Sequence, residues 1–373
     1  MKKRLAAAAF GIGLMLAPAS AYCAEDITIG FTAALSGDFA AFGLNMRKGL
    51  DLAVDALNKK GGATYKIDAV DDRGEAREGV LIAQRFCSDA AVDVVMGYSF
   101  SSIALAAVPV FNDCKLPVLA SAVTSPQLSN ASPYFRRNVL TDAVQGSMMG
   151  SYAAKTLGLS NIYVLEQQDD YGIGVADAFI AAAEKDGAKI LGNESYLLGT
   201  KEFRTLLTKV RAAKPDAIFI GGFYTEAAKI AQQARALGIK AQILSTDGAL
   251  NVELMKLGGP AVEGMIVYGM FDPSVATPAT EAFLTAYRAA YHEDPSAWAA
   301  LGYDAGMTLG AAVDLAAKSG PVTRESLNKA FGEIKDVPGV TGPTTFAASG
   351  DRTGTLYFLT VENGKFKLAP KQP

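Results

Sequence analysis

The sequence predicts an α/β protein built as two doubly wound lobes joined by a three-segment hinge. Three observations carry this prediction. After Asp26, short β-rich runs alternate with helical stretches, a pattern that implies βαβ units and parallel sheets covered on both faces. The alternation passes through two consecutive sets, and 373 residues suit two domains of about 100–200 residues each. Extended runs with no helix of their own punctuate the sets, as crossings between lobes would.

In the first set Ile27–Ala34 reads as a strand, Phe39–Lys60 as a helix closed by Gly61-Gly62, and Tyr65–Val70 as a strand. Arg77–Ala90 follows as a helix, then Val92–Met96 and Pro117–Ala120 as strands. The second set runs Gly146–Leu157 (helix), Asn161–Leu165 (strand), Gly174–Asp186 (helix), Lys189–Tyr196 (strand), Phe203–Lys214 (helix), Asp216–Ile220 (strand), Glu226–Leu237 (helix) and Gln242–Ser245 (strand). Tyr134–Leu140 and Gly264–Phe271 are extended and read as crossovers. Helices return at Ala279–Tyr291 and Trp298–Lys318, and the tail Gly342–Ala369 reads as hairpin-like strands around Gly350-Asp351 and Asn363-Gly364. The expected Rossmann-like lobes are residues 25–140 plus 272–341 at the N-terminal side, and residues 141–271 plus 342–373 at the C-terminal side.

Residues 1–24 depart from this pattern. Lys2-Lys3-Arg4, the apolar run Leu5–Leu16 and the small-residue segment Pro18–Ala21 have the three regions of a secretory signal peptide. The run is short for a membrane span, which wants about 20 apolar residues. Cleavage after Ala21 or after Ala24 fits, and Tyr22 before Cys23 disfavours a lipid anchor. Export to the periplasm is the expectation. The formal charge of −3 falls to about −6 without the three basic leader residues, and the remaining basic residues are dispersed, which argues against a nucleic-acid partner. Cys87 and Cys114 each end a helical pattern just before a strand, which makes them a disulfide candidate in an exported protein; the alternative is two buried thiols. Asp71-Asp72 at a strand end reads as a solvated loop pair.

Two hydroxyl clusters, Ser99–Ser102 and Ser121–Ser125, begin where apolar strand-like runs end. Ligands of doubly wound sheets bind outside the carboxyl ends of strands. If each cluster precedes a helix, backbone N–H groups and hydroxyls converge on one anionic group, for which a carboxylate is the natural guest. Simple N-capping is the competing explanation for either cluster alone.

Several stretches together carry a resemblance: "IGFTAALSGDFAAFGLNMRKGLDLAVDALNKKGG" (Ile29–Gly62), Gly97–Leu128, "DDYGIGVADAF" (Asp169–Phe179), "IFIGGFYTEAAKIAQQARALG" (Ile218–Gly238) and "STDGAL" (Ser245–Leu250). Their order and spacing resemble the type I periplasmic solute-binding proteins of ABC transporters, in particular the leucine/isoleucine/valine-binding family, over essentially the whole chain after the leader. The resemblance implies a monomeric binding component that needs no cofactor and docks on a membrane permease. It implies that Ser101 and Thr124, with backbone around Ala122, hold a ligand's α-carboxylate. Tyr171 would contact the ligand from the second lobe, and Asp247, usually Glu in the branched-chain binders, would receive its ammonium. Phe42 takes the place of an aromatic shelf, and Phe223 stands where the branched-chain binders carry tyrosine. With Tyr98, Phe100 and Tyr224 they make the candidate pocket aromatic, which suits a larger apolar or aromatic side chain.

Two ligand classes remain open at this level: a hydrophobic amino acid, and an aromatic or aliphatic carboxylic acid without an amine. Asp247 discriminates, because a buried carboxylate facing no cation is costly. An enzyme is disfavoured. The one histidine, His292, is far in sequence from the hydroxyl clusters, which leaves no material for a Ser-His-acid triad. No phosphate-binding glycine loop and no His/Cys metal spacing is present.

Overall fold

The computed structural model describes residues 25–372; the leader, its cleavage site and Cys23 lie outside them. The first lobe holds a parallel sheet in the order β2-β1-β3-β4-β5, from β1 (Asp26–Ala33), β2 (Thr64–Asp71), β3 (Val92–Gly97), β4 (Val118–Ala120) and β5 (Phe135–Arg137). Its inner strands are apolar on both faces because helices cover both. Helix α1 (Ala40–Lys60) packs on α10 (Ala297–Ala316), and α2 (Ala76–Ser88) packs on α3 (Ser101–Cys114). The α1–α10 contact is close because glycine lines it. A Cβ on Gly49 would lie 1.9 Å from the Ala299 carbonyl oxygen. Cys87 in α2 and Cys114 at the end of α3 are joined as a disulfide.

The second lobe holds seven strands in the order β12-β11-β10-β9-β8-β6-β7. The strands β6 (Asn161–Gln167), β7 (Lys189–Tyr196), β8 (Ala217–Gly221), β9 (Gln242–Ser245) and β10 (Ile266–Gly269) run parallel. The hairpin β11 (Tyr357–Glu362) and β12 (Lys365–Leu368) adds antiparallel to β10. Its turn residues Asn363 and Gly364 have φ of 53° and 68°, as a type I′ turn requires. Around the sheet lie α4 (Asp142–Ser151), α5 (Asp170–Lys185), α6 (Arg204–Ala213), α7 (Tyr224–Ala236) and α8 (Val252–Gly258). Helices α9 (Pro278–Tyr291), α10 and α11 (Arg324–Glu333) return to the first lobe.

Three differences from the sequence reading bear on the site. Tyr134–Leu140 is not wholly a crossover: Phe135–Arg137 pairs with β4 as the edge strand, and the chain leaves the lobe only after it. Residues 343–352, expected in the second lobe, hydrogen-bond instead to the β5 edge, with the Asn130 N–H donating to the Ser349 carbonyl and the Arg137 N–H to the Gly350 carbonyl. Helix α4 begins at Asp142, not Gly146, because Thr141 caps it through the Val144 N–H. The three crossings lie side by side. The Leu140 N–H points at Met270 Sδ at 3.3 Å, and a Cβ on Gly354 would come within 2.8 Å of Met270 Cε.

Candidate functional site

The order of each sheet reverses between two strands, β1 and β3 in the first lobe and β6 and β8 in the second, and ligands bind at such switch points. The two reversals face each other. From the first lobe, α1 follows β1 with Phe42, and the β3–α3 loop brings Ser99 and Ser101. From the second, α5 follows β6 with Tyr171, the β8–α7 loop brings Phe223, and the turn after β9 brings Asp247 and Gly248. These residues, with Ala122 and Trp298, line a small cavity between the lobes, with room for about 10 Å³.

The first hydroxyl cluster is built on a sharp bend. Gly97 at φ 117° and Tyr98 at φ 60° turn the chain at the end of β3, and a Cβ at Gly97 would sit 2.2 Å from the Thr32 carbonyl oxygen. The bend starts α3 with Phe100 as its N-cap and no side-chain cap on its first N–H groups. Ser99 Oγ accepts the Ala34 N–H at 3.2 Å. Ser101 Oγ accepts the N–H groups of Thr124 and Ser125, each at 3.2 Å, so the two clusters are bonded to each other. The second cluster differs from expectation, for it precedes a single turn, Pro126–Leu128, which Ser125 caps. Of the two clusters, the first precedes the helix α3 and the second does not precede a helix of more than one turn.

In the second lobe the Tyr171 hydroxyl donates to Asp247 Oδ1 at 2.6 Å, Gln145 Nε2 donates to Oδ2 at 3.2 Å, and the Gly248 N–H donates to Oδ1 at 2.8 Å. Asp247 is 4% exposed. Burial pushes its carboxyl upward, and these hydrogen bonds oppose the shift. Burial likewise raises the Tyr171 phenol well above its usual range, with the Asp247 charge adding to the effect. A polar receptor therefore sits at the second-lobe wall of the cavity.

The apolar walls come from both lobes. Phe42 meets Phe223 at 5.6 Å, Tyr224 at 5.5 Å and Trp298 at 5.2 Å between ring centroids. Tyr171 stacks on Phe223 at 4.9 Å, and Phe100 meets Phe223 edge-on at 5.0 Å, separations typical of favourable aromatic pairs. Phe100 and Tyr224 thus close the box from behind rather than line it. Tyr98 is a correction: its left-handed backbone turns the ring into the first lobe, edge-on to Phe111 at 6.3 Å. Thr124 is buried beside the cavity with its hydroxyl unpartnered. Asp72, expected in solvent, is fully buried and accepts the Gly74 N–H at 2.9 Å, and burial pushes its carboxyl up to about 6.

Trp298, Gln145 and Gly248 lie outside the sequence reading of the site, and Ser99 enters it only as the first member of a hydroxyl cluster. Trp298 is the single tryptophan of the chain and opens a helix otherwise rich in alanine and glycine, which was the available signal. Gln145 was hidden by placing the start of α4 one turn late.

Among the described residues no helix is long and apolar enough to cross a membrane. Residues 26–365 match the family described as periplasmic binding protein. A Leu/Ile/Val-binding protein homologue of Brucella abortus is 28% identical over 355 residues, covering 93% of this chain and 94% of the relative. The leucine-specific-binding protein of Salmonella typhimurium is 27% identical over 358 residues, covering 95% of each. Among solved structures, a leucine-binding protein of Thermotoga maritima superposes with a TM-score of 0.86 at 29% identity, covering 92% of this chain and 97% of that one. A branched-chain amino acid transporter substrate-binding protein of Streptococcus pneumoniae, solved with isoleucine, gives 0.86 at 29% identity, covering 92% and 98%. Matches of that extent, on two facing α/β lobes, place the chain: it belongs to the periplasmic binding protein family, in its type I leucine/isoleucine/valine-binding branch.

Proposed function

We propose that this protein is the periplasmic capture component of an ABC importer, binding one hydrophobic amino acid, branched-chain or aromatic, between its lobes and presenting the closed form to a membrane permease. The observation that carries this reading is the pairing of a buried carboxylate, Asp247, held by Tyr171 and Gln145, with a hydroxyl and helix-N-terminal wall at Ser101 and α3 in one aromatic cavity. An ammonium and a carboxylate on one carbon match those two walls. Charged hydrogen bonds of this kind contribute about 1.5–3 kcal/mol each, and micromolar affinity needs about 8 kcal/mol in total. The family's members are solute-binding proteins, and the reading assigns no catalytic step. Ser101, Ala122 and Thr124 are assigned to the carboxylate, Tyr171 and Asp247 to the ammonium, and Phe42, Phe223 and Trp298 to the side chain. The lobes act as one monomer, turning on crossings near 138–141, 270–272 and 353–356.

Thermal shift and calorimetry against leucine, isoleucine, valine and phenylalanine, each beside its deaminated acid, test this. The amino acids are expected to raise the melting temperature by mass action and the deaminated acids to fall short. Asp247→Asn is expected to weaken amino-acid binding by roughly 10- to 100-fold. Tight binding of the deaminated acids in preference to the amino acids would overturn the ammonium assignment.

A further inference from the structure

A second buried carboxyl accompanies Asp247. Asp142 opens α4 and Gln145 follows one turn later on the same helix face. Gln145 Nε2 reaches Asp247, so this face of α4 is turned toward Asp247, and the charge of Asp247 acts on Asp142. The Asp142 N–H donates to the Thr124 carbonyl at 2.8 Å, which ties the pair to the first lobe. Asp142 is fully buried, and neither of its carboxyl oxygens has a hydrogen-bond partner; the Tyr268 hydroxyl is also unpartnered. The Thr124 hydroxyl lies beside it without a well-formed bond.

Among the described residues, the groups around the pair supply no free cation. Arg137, from β5, is the cation whose charge reaches Asp142, yet its Nε goes to Asp351, its Nη1 to the carbonyls of Val123 and Ser125, and its Nη2 to Ser129 Oγ. On α5, Asp169 caps the helix and Asp170 accepts from Gln127. Tyr171 and, on β10, Tyr268 contribute phenols whose ionisation burial suppresses. Two carboxylates sharing such a site cannot both ionise cheaply.

We infer that Asp142 and Asp247 form a two-carboxyl receptor that holds one proton when the cleft is empty and releases it to solvent when a ligand's ammonium arrives. Charge balances in this exchange. The empty pair with one proton carries one negative charge, and the doubly ionised pair with one ammonium carries the same. Asp142 is a positioning residue, acting on the ligand through Asp247. The inference rests on the amino-acid reading above.

Calorimetry of the full chain with L-leucine and L-phenylalanine, in buffers of different ionisation enthalpy, tests it. The expected result is release of up to one proton per ligand, with Kd rising by up to about tenfold for each pH unit of acidification between about pH 8 and pH 6. Protons compete with the ammonium for the same site, so acid weakens binding. Asp142→Asn is expected to abolish the release and flatten the pH slope while leucine still binds. On wild-type protein, 4-methylpentanoate, which lacks the ammonium, is expected to release no proton, a control that holds even if the variant folds poorly. Leucine or phenylalanine binding with no proton exchange across this range overturns the inference and leaves the amino-acid reading intact. Failure of both to bind at any pH overturns the amino-acid reading and the inference with it.

Discussion

Arg137 lies in "YFRRNVL", a stretch whose sequence reads only as extended. In the fold it is fully buried and bonds to Asp351, to the carbonyls of Val123 and Ser125 and to Ser129, and so fixes the loop that carries Ala122 and Thr124. Its partner Asp351 is 214 positions away, a pairing that no local pattern discloses. Arg137→Met keeps the apolar stem but leaves these acceptors empty. A loss of about 2–3 kcal/mol in stability is expected, seen as a lower denaturation midpoint, together with weaker leucine binding because the loop relaxes. An unchanged midpoint and Kd would show that Arg137 does not organise the site. By contrast, the family resemblance names Ser101, Tyr171 and Asp247, and all three line the cavity. Tyr98, placed in the candidate pocket from the sequence, turns away because its backbone conformation, not its place in the chain, decides where the ring points.

Helix α4 shows what is lost at the scale of an element. Gly146 looks like a poor interior residue, and the predicted start falls there. Its actual reason is packing: a Cβ would sit 2.6 Å from the Val175 carbonyl oxygen and 2.9 Å from Ala178 Cβ on α5. The one-turn error removed Asp142 and Gln145 from view, the two residues by which α4 reaches the site. On an exposed helix, replacing glycine by alanine stabilises by roughly 0.5–1 kcal/mol. Here the sign reverses. Gly146→Ala is expected to cost about 1–3 kcal/mol through overpacking and to weaken leucine binding as α4 shifts. A raised melting temperature would refute the close packing of α4 on α5.

At the scale of the molecule, the lobes touch through few polar contacts. The Tyr224 hydroxyl donates to the Asp38 carbonyl at 2.5 Å, Gln127 reaches Asp170 at 3.1 Å, and the Asp142 N–H reaches the Thr124 carbonyl. Trp298 Nε1 donates to the Leu250 carbonyl at 3.2 Å, the aromatic box adds apolar contact, and a ligand that touches both sides stabilises the closed state by its differential affinity. Leucine is expected to reduce the radius of gyration in small-angle scattering. Tyr224→Phe, which removes one inter-lobe hydrogen bond and little volume, is expected to raise Kd roughly two- to tenfold. A radius of gyration that ignores saturating leucine would rule out closure as the response.

Local pattern in the chain is enough for the two-lobed α/β architecture and for the strands that end at the cleft. Hydrophobic periodicity and turn chemistry are local, and they are repeated often enough along this chain to be read without tertiary knowledge. Which face each residue presents is set by packing of the lobes. That packing sent Tyr98 into the core, buried Asp72, moved residues 343–352 onto the first lobe, and buried Asp142 within reach of the charge of Asp247, with no free cation near them among the described residues. Those outcomes depend on burial and on partners distant in the chain, quantities that exist only once the lobes are packed.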